Sequence, residues 1–312
     1  MTQAFDAVLL LAFGGPTRSE EIRPFLDNVL RGRPVPPERY EEVVRHYLEV
    51  GGSSPIARLT ESQAEGLRSR LASDGSGLTV FVGMRHWHPY VSDTLATMAA
   101  GGLRRAVGIV LAAHPSPPSR EAYRQAVEEG RRRVGATAPE VDFVGEWHDH
   151  PLLVAALADR LCDALAAVPA DRRARAALVF TAHSLPAAMS ETSGYETSLR
   201  RTAELVARAA GVPAWRLAWQ SRSGSPRDPW LEPDVRDVIA DVARDGSGDV
   251  VVAPIGFVCD HVEILYDLDV EARAAARAAG IGFHRAATAG THPAFLDLLA
   301  ELVRGRLGGR TA

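Results

Sequence analysis

The chain carries a histidine and several carboxylates directly after an apolar segment in its last third. The segment DVVVA (249–253) is followed by PIGFVCDHVEILYDLDVE (254–271). The acidic and imidazole side chains of this stretch are Asp260, His261, Glu263, Asp267, Asp269 and Glu271. Imidazole nitrogen and carboxylate oxygen together suit a divalent first-row metal, and a neutral imidazole also accepts protons near neutral pH. A solvated acidic helix face, favoured near a helix N-terminus, is the alternative.

Three of these carboxylates recur at a regular spacing, which both interpretations allow. Glu263, Asp267 and Glu271 stand at i, i+4 and i+8. On an α-helix each step rotates the side chain by about 40° beyond a full turn, so the three share roughly one face. If the first turns were π-helical, the alignment would be closer, and π-helical turns are frequent at functional sites. The spacing is therefore compatible with a line of carboxylates that conducts a cation toward a buried site.

His183 is the second candidate metal ligand. It follows the apolar segment AALVFTA (176–182) and precedes Ser184. A lone histidine at a strand end is more often structural than functional. Ligands of parallel sheets, however, bind beyond the carboxyl ends of the strands. If both apolar segments are central strands of one sheet, His183 and Glu263 face the same site.

The elements that must position these residues form an α/β pattern. Apolar segments predict strands at 7–13, 78–84, 106–113, 141–147, 176–182, 216–221, 249–257 and 281–287. Helical spacing fills most of the intervals between them. Because the strands are continuously apolar, both faces of the sheet must be covered, which is typical of parallel sheets with crossover helices.

An eight-stranded barrel is the alternative architecture, but a long helical stretch at 18–72 interrupts the alternation of strand and helix. We therefore expect two similar Rossmann-like halves, each a parallel sheet flanked by helices. The first half covers residues 1–125 and is joined by a C-terminal helix at 291–308. The second half, residues 126–290, carries the metal site.

Composition narrows the class of protein. The 312 residues are 46% hydrophobic and 24% charged, with a formal net charge of −4. This is an ordinary globular composition, and it gives no broad basic face for nucleic acid. The two cysteines, Cys162 and Cys259, are far apart, which indicates a reducing compartment and no cysteine zinc site. Neither a basic leader nor an apolar stretch of about 18 residues is present, so we expect a cytoplasmic protein that is not integral to a membrane.

A basic cluster stands out in this acidic chain. Its members are Arg31, Arg33, Arg45 and His46. Guanidinium groups bind carboxylates through paired hydrogen bonds, so the cluster suggests an anionic ligand. Solvated charge is the alternative. A nucleotide is disfavoured because LAFGGP (11–16) is neither a dinucleotide fingerprint nor followed by a phosphate-binding lysine.

Six motifs, in order and over almost the whole chain, resemble those of the ferrochelatase family. They are LLLAFGGP, GGSSPI, GMRHWHPY, TAHSLP, WQSRSGSPRDPWLEPDV and PIGFVCDHVEILYDLD. The resemblance implies two Rossmann-like halves with a porphyrin in the cleft between them, and a reaction that inserts Fe²⁺ into the porphyrin. Porphyrin and ferrous iron are then the expected partners, and a downstream haem-pathway enzyme is a further candidate.

The resemblance also assigns residues. It implies that His183 and Glu263 are the catalytic and inner metal-binding pair, and that Asp267 and Glu271 form the outer acidic line. Ser54 and Tyr123 match positions that contact the porphyrin. Phe13 stands where some members carry a tyrosine able to ligate the iron.

An iron–sulfur cluster is not expected. Many actinobacterial members carry a [2Fe–2S] cluster, but Arg120 stands where one of its cysteines precedes the matched tyrosine, and the chain ends without a cysteine-bearing tail. The resemblance therefore implies no prosthetic group, with Fe²⁺ as a substrate.

The porphyrin is predicted from charge. Protoporphyrin enzymes tend to have an apolar lip, whereas the matching region here, residues 23–50, is charged. Coproporphyrin III carries four propionates, which would accept charge-assisted hydrogen bonds from Arg31, Arg33, Arg45 and His46. We therefore expect a coproporphyrin III ferrochelatase of actinobacterial type, which makes Fe-coproporphyrin III (coproheme) for haem biosynthesis.

Three other functions stay open. They are a protoporphyrin IX ferrochelatase, a cobalt or nickel chelatase of related fold, and a non-catalytic solute-binding protein with two domains. The sequence assigns no role to His86, His88 or His114.

Overall fold

The computed structural model describes residues 4–73, 75–223 and 228–308. Its contacts divide the chain into two compact units. The first is Met1–Ala112, Pro117–Glu146 and Thr291–Ala312, and the second is Ala113–Ser116 and Trp147–Gly290. In this division the C-terminal helix belongs to the first unit. The boundary between the two halves, expected at residues 125/126, lies after Glu146 in this division. The elements at 121–143 pack with the first unit.

The first unit contains a parallel sheet of four strands in the order β2–β1–β3–β4. These strands are β1 (Ala7–Ala12), β2 (Thr79–Met84), β3 (Arg105–Val110) and β4 (Glu140–Phe143). The helices of this unit are α1 (Ile22–Leu30), α2 (Pro37–Glu49), α3 (Ile56–Ser73), α4 (Val91–Ala100), α5 (Glu121–Val134) and α12 (Pro293–Leu307). The central strand β1 is buried along its whole length, which explains its unbroken apolar sequence AVLLLA.

The second unit repeats this arrangement with a parallel sheet in the order β6–β5–β7–β8. Its strands are β5 (Ala177–His183), β6 (Arg216–Gln220), β7 (Asp249–Ala253) and β8 (Gly282–Arg285). Its helices are α6 (Pro151–Ala166), α7 (Ala187–Ser193), α8 (Tyr195–Ala209), α9 (Val235–Arg244), α10 (Val262–Tyr266) and α11 (Arg273–Ala278). A π-helical segment, Asp267–Ala272, connects α10 to α11.

The core of the second unit shows why the sequence folds this way. Val250 and Val252 of β7 pack in a buried cluster with Ile239 of α9 and with Ile264 and Leu268 of the helix that follows β7. A central parallel strand is covered on both faces, so it needs apolar side chains at consecutive positions rather than at alternate ones.

All eight predicted strands are present, and the α/β class is confirmed. Several strands end earlier than predicted. β7 ends at Ala253 rather than residue 257, because Pro254 has no N–H to donate and the N–H of Ile255 turns back to the carbonyl of Ala253 at 3.0 Å. Among the described residues, no helix combines the length and the apolar character needed to cross a bilayer.

Candidate metal-binding site

The site is built at the carboxyl ends of two adjacent strands of the second unit. β5 and β7 pair in parallel from Ala177 opposite Val250 to Phe180 opposite Ala253. His183 is the last residue of β5, and Glu263 lies in the first turn of α10, which follows β7. Parallel pairing brings both strand ends to one edge of the sheet. The predicted meeting of His183 and Glu263 is therefore observed: Nε2 of His183 lies 3.8 Å from Oε1 of Glu263.

The imidazole of His183 is held in one orientation by its own backbone neighbour. Its Nδ1 lies 2.5 Å from the carbonyl oxygen of Ser184. A carbonyl oxygen only accepts hydrogen bonds, so Nδ1 carries a proton, and in the neutral imidazole Nε2 then presents a lone pair. That lone pair is on the side of Glu263 and can take a metal ion or a proton.

Two buried side chains that sequence reasoning did not single out fix the backbone of this pair. The hydroxyl of Tyr195 donates to the carbonyl of His183 at 3.2 Å. The side-chain amide of Gln220 donates to the carbonyl of Glu263 at 2.9 Å. Burial raises the pKa of Tyr195, and the nearby charge of Glu263 raises it further, so the phenol stays a donor. Gln220 ends the apolar strand β6, and its polar side chain at a strand end was the available signal.

His261 has a different role from its acidic neighbours. Its Nδ1 accepts a hydrogen bond from the backbone N–H of Glu263 at 3.2 Å, so it is the N-cap of α10. Burial lowers the pKa of His261, which keeps the imidazole neutral and able to accept this bond. The cap fixes the first turn of α10 and with it the position of Glu263.

The acidic line runs along a helix whose turn widens. The π-helical segment lies at Asp267–Ala272, whereas the first turn after β7, Val262–Tyr266, is α-helical and not π-helical. The α-helical step from Glu263 to Asp267 rotates by about 40° past a full turn. The step from Asp267 to Glu271 falls about 33° short at about 4.4 residues per turn, so the two deviations nearly cancel. The three carboxylates therefore stay on one face.

Asp267 is the middle member of the line. Burial raises the pKa of its carboxyl to about 7 against the opposing hydrogen bond from Ser221, and the charges of Glu263, Glu271 and Asp234 raise it further. The Ser221 hydroxyl donates to Oδ2 of Asp267 from a left-handed backbone conformation with φ of 62°. A non-glycine residue rarely adopts this φ, and such strain is found at functional sites.

The outer end of the line is neutralised by an arginine. Oε1 of Glu271 lies 3.6 Å from Nη1 of Arg236, near the start of α9. The same guanidinium donates from Nε and Nη2 to the two carboxylate oxygens of Asp234, at 2.9 and 3.2 Å.

A second arginine ties the loop before α10 to the π-helical segment. Arg285, at the end of β8, donates to both oxygens of Asp260 and, at 2.9 Å, to Oδ1 of Asp269. Its side chain is only 14% exposed, so this is a largely buried ion-pair network. The two aspartates that lie off the acidic line are therefore structural, with Arg285 as their shared partner.

The separation of the His183 and Glu263 side chains would allow one cation to contact both of them. Two ligand atoms at about 2.1 Å from a common cation lie about 3–4 Å apart, which includes the observed separation. Within the described residues, no group of three or more histidine, cysteine, aspartate or glutamate side chains is arranged to hold a metal ion. Two ligands leave most coordination positions of a first-row cation open for other donors.

The predicted porphyrin contacts lie in the first unit and differ in exposure. The ring of Phe13 is 40% exposed just after β1 and lies 4.5 Å from the imidazole of His86. Ser54 is buried, and its N–H donates to the carbonyl of Pro16 at 2.7 Å. Tyr123 is only 5% exposed in α5, beneath the guanidinium of Arg85. Phe13 is therefore the most exposed of the three, and Ser54 and Tyr123 offer little surface.

The basic cluster divides between two helices. Arg31 ends α1 with φ of 48°, and Arg33 donates to carbonyls at the carboxyl end of the same helix. Both residues are exposed, and in the described part of the chain neither guanidinium is paired with a carboxylate. His46 of α2 lies 3.8 Å from Glu42, and burial lowers the pKa of its imidazole. Arg45 is exposed on the same helix.

The structure also gives the surroundings of Arg120, His86, His88 and His114. Arg120 precedes α5 and pairs with Glu146 at 3.0 Å. His86 is buried, and burial together with the charges of nearby arginines lowers its pKa to about 3. His88 is exposed beside the ring of Tyr90. His114 is buried in the second unit, where its Nδ1 lies 3.1 Å from the hydroxyl of Ser198.

Comparison with known proteins identifies relatives of the whole chain. The family model for ferrochelatase matches residues 5–307. A coproporphyrin III ferrochelatase of Nocardia farcinica is 45% identical over 98% of this chain and 89% of its own length. A coproporphyrin III ferrochelatase of Mycobacterium avium is 46% identical over 98% of this chain and 90% of its own.

The fold is also found in solved structures of low sequence identity. SirB from Bacillus subtilis with Fe³⁺ matches with a TM-score of 0.59, 12% identity and 98% coverage of both chains. At this identity the likeness concerns the fold alone. The sequence match over nearly the whole chain is decisive: this protein belongs to the ferrochelatase family.

Proposed function

We propose that this protein inserts Fe²⁺ into coproporphyrin III and releases Fe-coproporphyrin III. The observation that carries the proposal is the His183–Glu263 pair, in which an imidazole lone pair and a carboxylate lie 3.8 Å apart. Both side chains are accessible, at 25% and 42% exposure. The relatives named coproporphyrin III ferrochelatase support the choice of reaction and of porphyrin.

The chemistry requires two exchanges at the same place. The cation must lose water ligands and gain four pyrrole nitrogens, and two pyrrole N–H protons must leave. Nε2 of His183 accepts the two pyrrole protons one after the other and passes each to water, because Nδ1 already carries its own proton for Ser184. Glu263 supplies the negative charge that holds the cation opposite the imidazole, and its backbone is fixed by Gln220. No redox change occurs, since iron enters and stays as Fe²⁺.

The acidic line is proposed to supply the cation. Asp267 and Glu271 continue outward from Glu263 on one helix face, so a hydrated cation can exchange carboxylate ligands stepwise. Because the pKa of Asp267 is raised to about 7, a small change of pH near neutrality changes the ionised fraction of its carboxyl group. The affinity of this carboxyl group for a cation is proposed to change with it. Carboxylate oxygen is a suitable ligand for a cation that still carries part of its water.

The porphyrin is proposed to bind through the first unit. Phe13 offers an exposed ring, which suits contact with a flat macrocycle. Arg31 and Arg33 are exposed and have no carboxylate partner in the described residues, so their guanidiniums suit propionates. Ser54, Tyr123 and His46 are proposed as further porphyrin contacts on the resemblance described above.

Three accompanying proposals complete this function. The reaction takes place in the cytoplasm, and the product passes to a downstream haem-pathway enzyme. The protein holds no iron–sulfur cluster, because a [2Fe–2S] cluster takes four protein ligands, typically cysteines, and this chain has only Cys162 and Cys259. Of these two, Cys259 is buried, and burial raises the pKa of its thiol to about 12. The absorption spectrum and acid-labile sulfide content of the purified protein test the absence of a cluster.

An anaerobic metallation assay tests the main proposal. Purified protein is mixed with Fe²⁺ and coproporphyrin III, and the Soret band is followed as free porphyrin is converted to the iron complex. Parallel reactions contain protoporphyrin IX with Fe²⁺, or sirohydrochlorin with Co²⁺. We expect the highest kcat/KM with coproporphyrin III. Faster turnover of either other substrate would replace the proposed reaction, and tight porphyrin binding without metallation would indicate a binding protein.

A further inference from the structure

A buried histidine joins two segments of the second unit. His114 is only 3% exposed. Its Nδ1 lies 3.1 Å from the hydroxyl oxygen of Ser198 in α8, and its Nε2 lies 3.3 Å from the carbonyl oxygen of Ile255, which follows β7. The ring also packs edge-on against Tyr195, with the ring centroids 6.3 Å apart. His114 therefore contacts both α8 and the segment that leaves β7.

The contact with α8 leads to the imidazole of the site. Ser198 follows Tyr195 by one turn of this helix, and its hydroxyl also lies 2.7 Å from the carbonyl oxygen of Tyr195. The phenol of Tyr195 donates to the carbonyl of His183 at 3.2 Å. Through this turn of α8, His114 therefore supports the side chain that holds the backbone of His183.

The other contact leads to the carboxylate of the site. Ile255 is the second residue after β7, on the segment that continues to Glu263 in the first turn of α10. The imidazole of His114 holds this segment at the carbonyl oxygen of Ile255. His114 therefore lies between the supports of both site residues.

The strand pairing by itself does not extend to the two site residues. The ladder between β5 and β7 ends at Phe180 opposite Ala253, before the chain reaches His183. Beyond this point, the backbone N–H of Gly256 donates to the carbonyl of Thr181 at 3.2 Å. A side chain that ties α8 to the segment after β7 therefore adds a constraint where the ladder has ended.

The two hydrogen bonds of His114 require a neutral ring with one tautomer. Burial lowers the pKa of His114 to about 3, and the charge of His148 lowers it further, against the opposing hydrogen bond to Ile255. The Ile255 carbonyl only accepts, so Nε2 carries the ring proton and Nδ1 is left as an acceptor. Nδ1 shares the hydroxyl hydrogen of Ser198 with the carbonyl of Tyr195. A replacement for His114 must therefore offer both a donor and an acceptor.

We propose that His114 is a positioning residue for iron insertion: it joins α8 to the segment after β7 and so maintains the spacing of His183 and Glu263. This inference rests on the proposed function. The effect of His114 passes through the supports of the two site residues. Its loss should therefore lower kcat and leave porphyrin binding nearly unchanged.

The kinetic test compares two substitutions of His114. His114→Leu removes both hydrogen bonds, and we expect kcat for iron insertion to fall about 10- to 100-fold, because reacting groups tolerate little misplacement. His114→Gln keeps a donor and an acceptor, so its kcat should stay within about threefold of wild type. Quenching of coproporphyrin III fluorescence gives the Kd and the concentration of binding-competent protein, so that kcat is counted per folded molecule.

A milder variant keeps the test decisive where His114→Leu does not fold. Ser198→Ala removes one of the two hydrogen bonds of His114 and little volume. We expect it to lower kcat about two- to fivefold, the usual range for one hydrogen bond, with an unchanged Kd for coproporphyrin III.

Nuclear magnetic resonance of histidine-labelled protein tests the position of the pair without porphyrin or turnover. The imidazole signal of His183 is identified by its loss in His183→Ala. We expect this signal to shift in His114→Leu and to lie near its wild-type position in His114→Gln. A failure of the proposed function, seen as absence of iron insertion by the wild type, is therefore distinguished from a failure of this inference.

His284→Leu is the matched control. His284 is another largely buried histidine of the second unit, and its Nε2 lies 3.0 Å from Asp249 at the opposite end of β7. This variant should lose thermal stability, as His114→Leu does, but keep the kcat and the His183 signal of wild type. Wild-type kcat in His114→Leu, an unshifted His183 signal, or a loss of kcat that His284→Leu shares in full would overturn the inference.

Discussion

Nε2 of His183 faces Oε1 of Glu263 at 3.8 Å because the strands that lead to them, β5 and β7, are direct neighbours in a parallel sheet. Neither residue is packed into the core, and each is fixed through its backbone carbonyl by a buried side chain, Tyr195 for His183 and Gln220 for Glu263. The two side chains therefore stay accessible while their backbones are held in place. This arrangement allows a change of side chain at either position without loss of the surrounding structure.

Replacement of the His183 imidazole should slow iron insertion and leave porphyrin binding nearly unchanged. We expect His183→Ala to lower kcat for iron insertion about 10²- to 10⁴-fold, the usual contribution of a positioned proton acceptor, with porphyrin affinity changed little. Porphyrin fluorescence quenching gives the affinity, and the Soret assay gives kcat. His150→Asn is the control, because it replaces another histidine, the N-cap of α6, with a good capping residue. Iron insertion by His183→Ala at close to the wild-type rate would show that another group accepts the protons.

Arg285 is expected to support the site from outside it. Its guanidinium joins Asp260, three residues before Glu263, to Asp269 in the π-helical segment. Arg285→Gln should lower the free energy of unfolding by about 2–4 kcal/mol, because two largely buried carboxylates lose their shared partner. Thermal and urea unfolding measure this loss.

A neighbouring arginine provides the comparison for this prediction. Arg273 also pairs with Asp269, but its side chain is 53% exposed, so Arg273→Gln should cost less than about 1 kcal/mol. Equal effects of the two substitutions would contradict a special role for Arg285. Arg285→Lys keeps the positive charge but loses the guanidinium fork that reaches both aspartates. We expect its free energy of unfolding to lie between those of wild type and Arg285→Gln.

The carboxyl group of Asp267 should make stability depend on pH. Burial raises its pKa to about 7 in the folded protein, well above the value of an unfolded aspartate. The folded state therefore binds the proton more tightly, and the carboxyl group lowers stability progressively as pH rises from about 4 to about 7. We expect Asp267→Asn to have the same Tm as wild type near pH 4 and a higher Tm at pH 8.

The same comparison with an exposed acid isolates the effect of burial. Asp241→Asn changes a carboxylate on the surface of α9 and should not give a Tm difference that grows between pH 4 and pH 8. A constant difference for Asp267→Asn over this range would mean that the carboxyl of Asp267 is not buried in a way that shifts its pKa.

The sequence was sufficient to predict the parallel strands and the proximity of His183 to Glu263. Continuous apolar segments specify buried parallel strands, and the rule that ligands bind beyond strand ends then brings His183 and Glu263 together. The roles of Gln220 and Arg285 were not predicted, because each depends on a contact with a residue distant in sequence. From the sequence alone, His261 could be either a metal ligand or a helix cap, because a histidine side chain can serve as both. The π-helical segment packs against α9, a contact that its local composition does not reveal.

The charged residues after α1 should determine which porphyrin binds. Arg31 and Arg33 are exposed and, in the described ranges, have no carboxylate partner, so their guanidiniums are available to propionates. The double substitution Arg31→Gln/Arg33→Gln should raise KM for coproporphyrin III about tenfold, with kcat nearly unchanged, because charge-assisted contacts are lost far from the reacting nitrogens. KM for protoporphyrin IX, which has two propionates instead of four, should rise less. Arg39→Gln is the control, since Arg39 is already paired with Glu42 at 2.9 Å. Equal increases for both porphyrins would place the propionate contacts elsewhere in the chain.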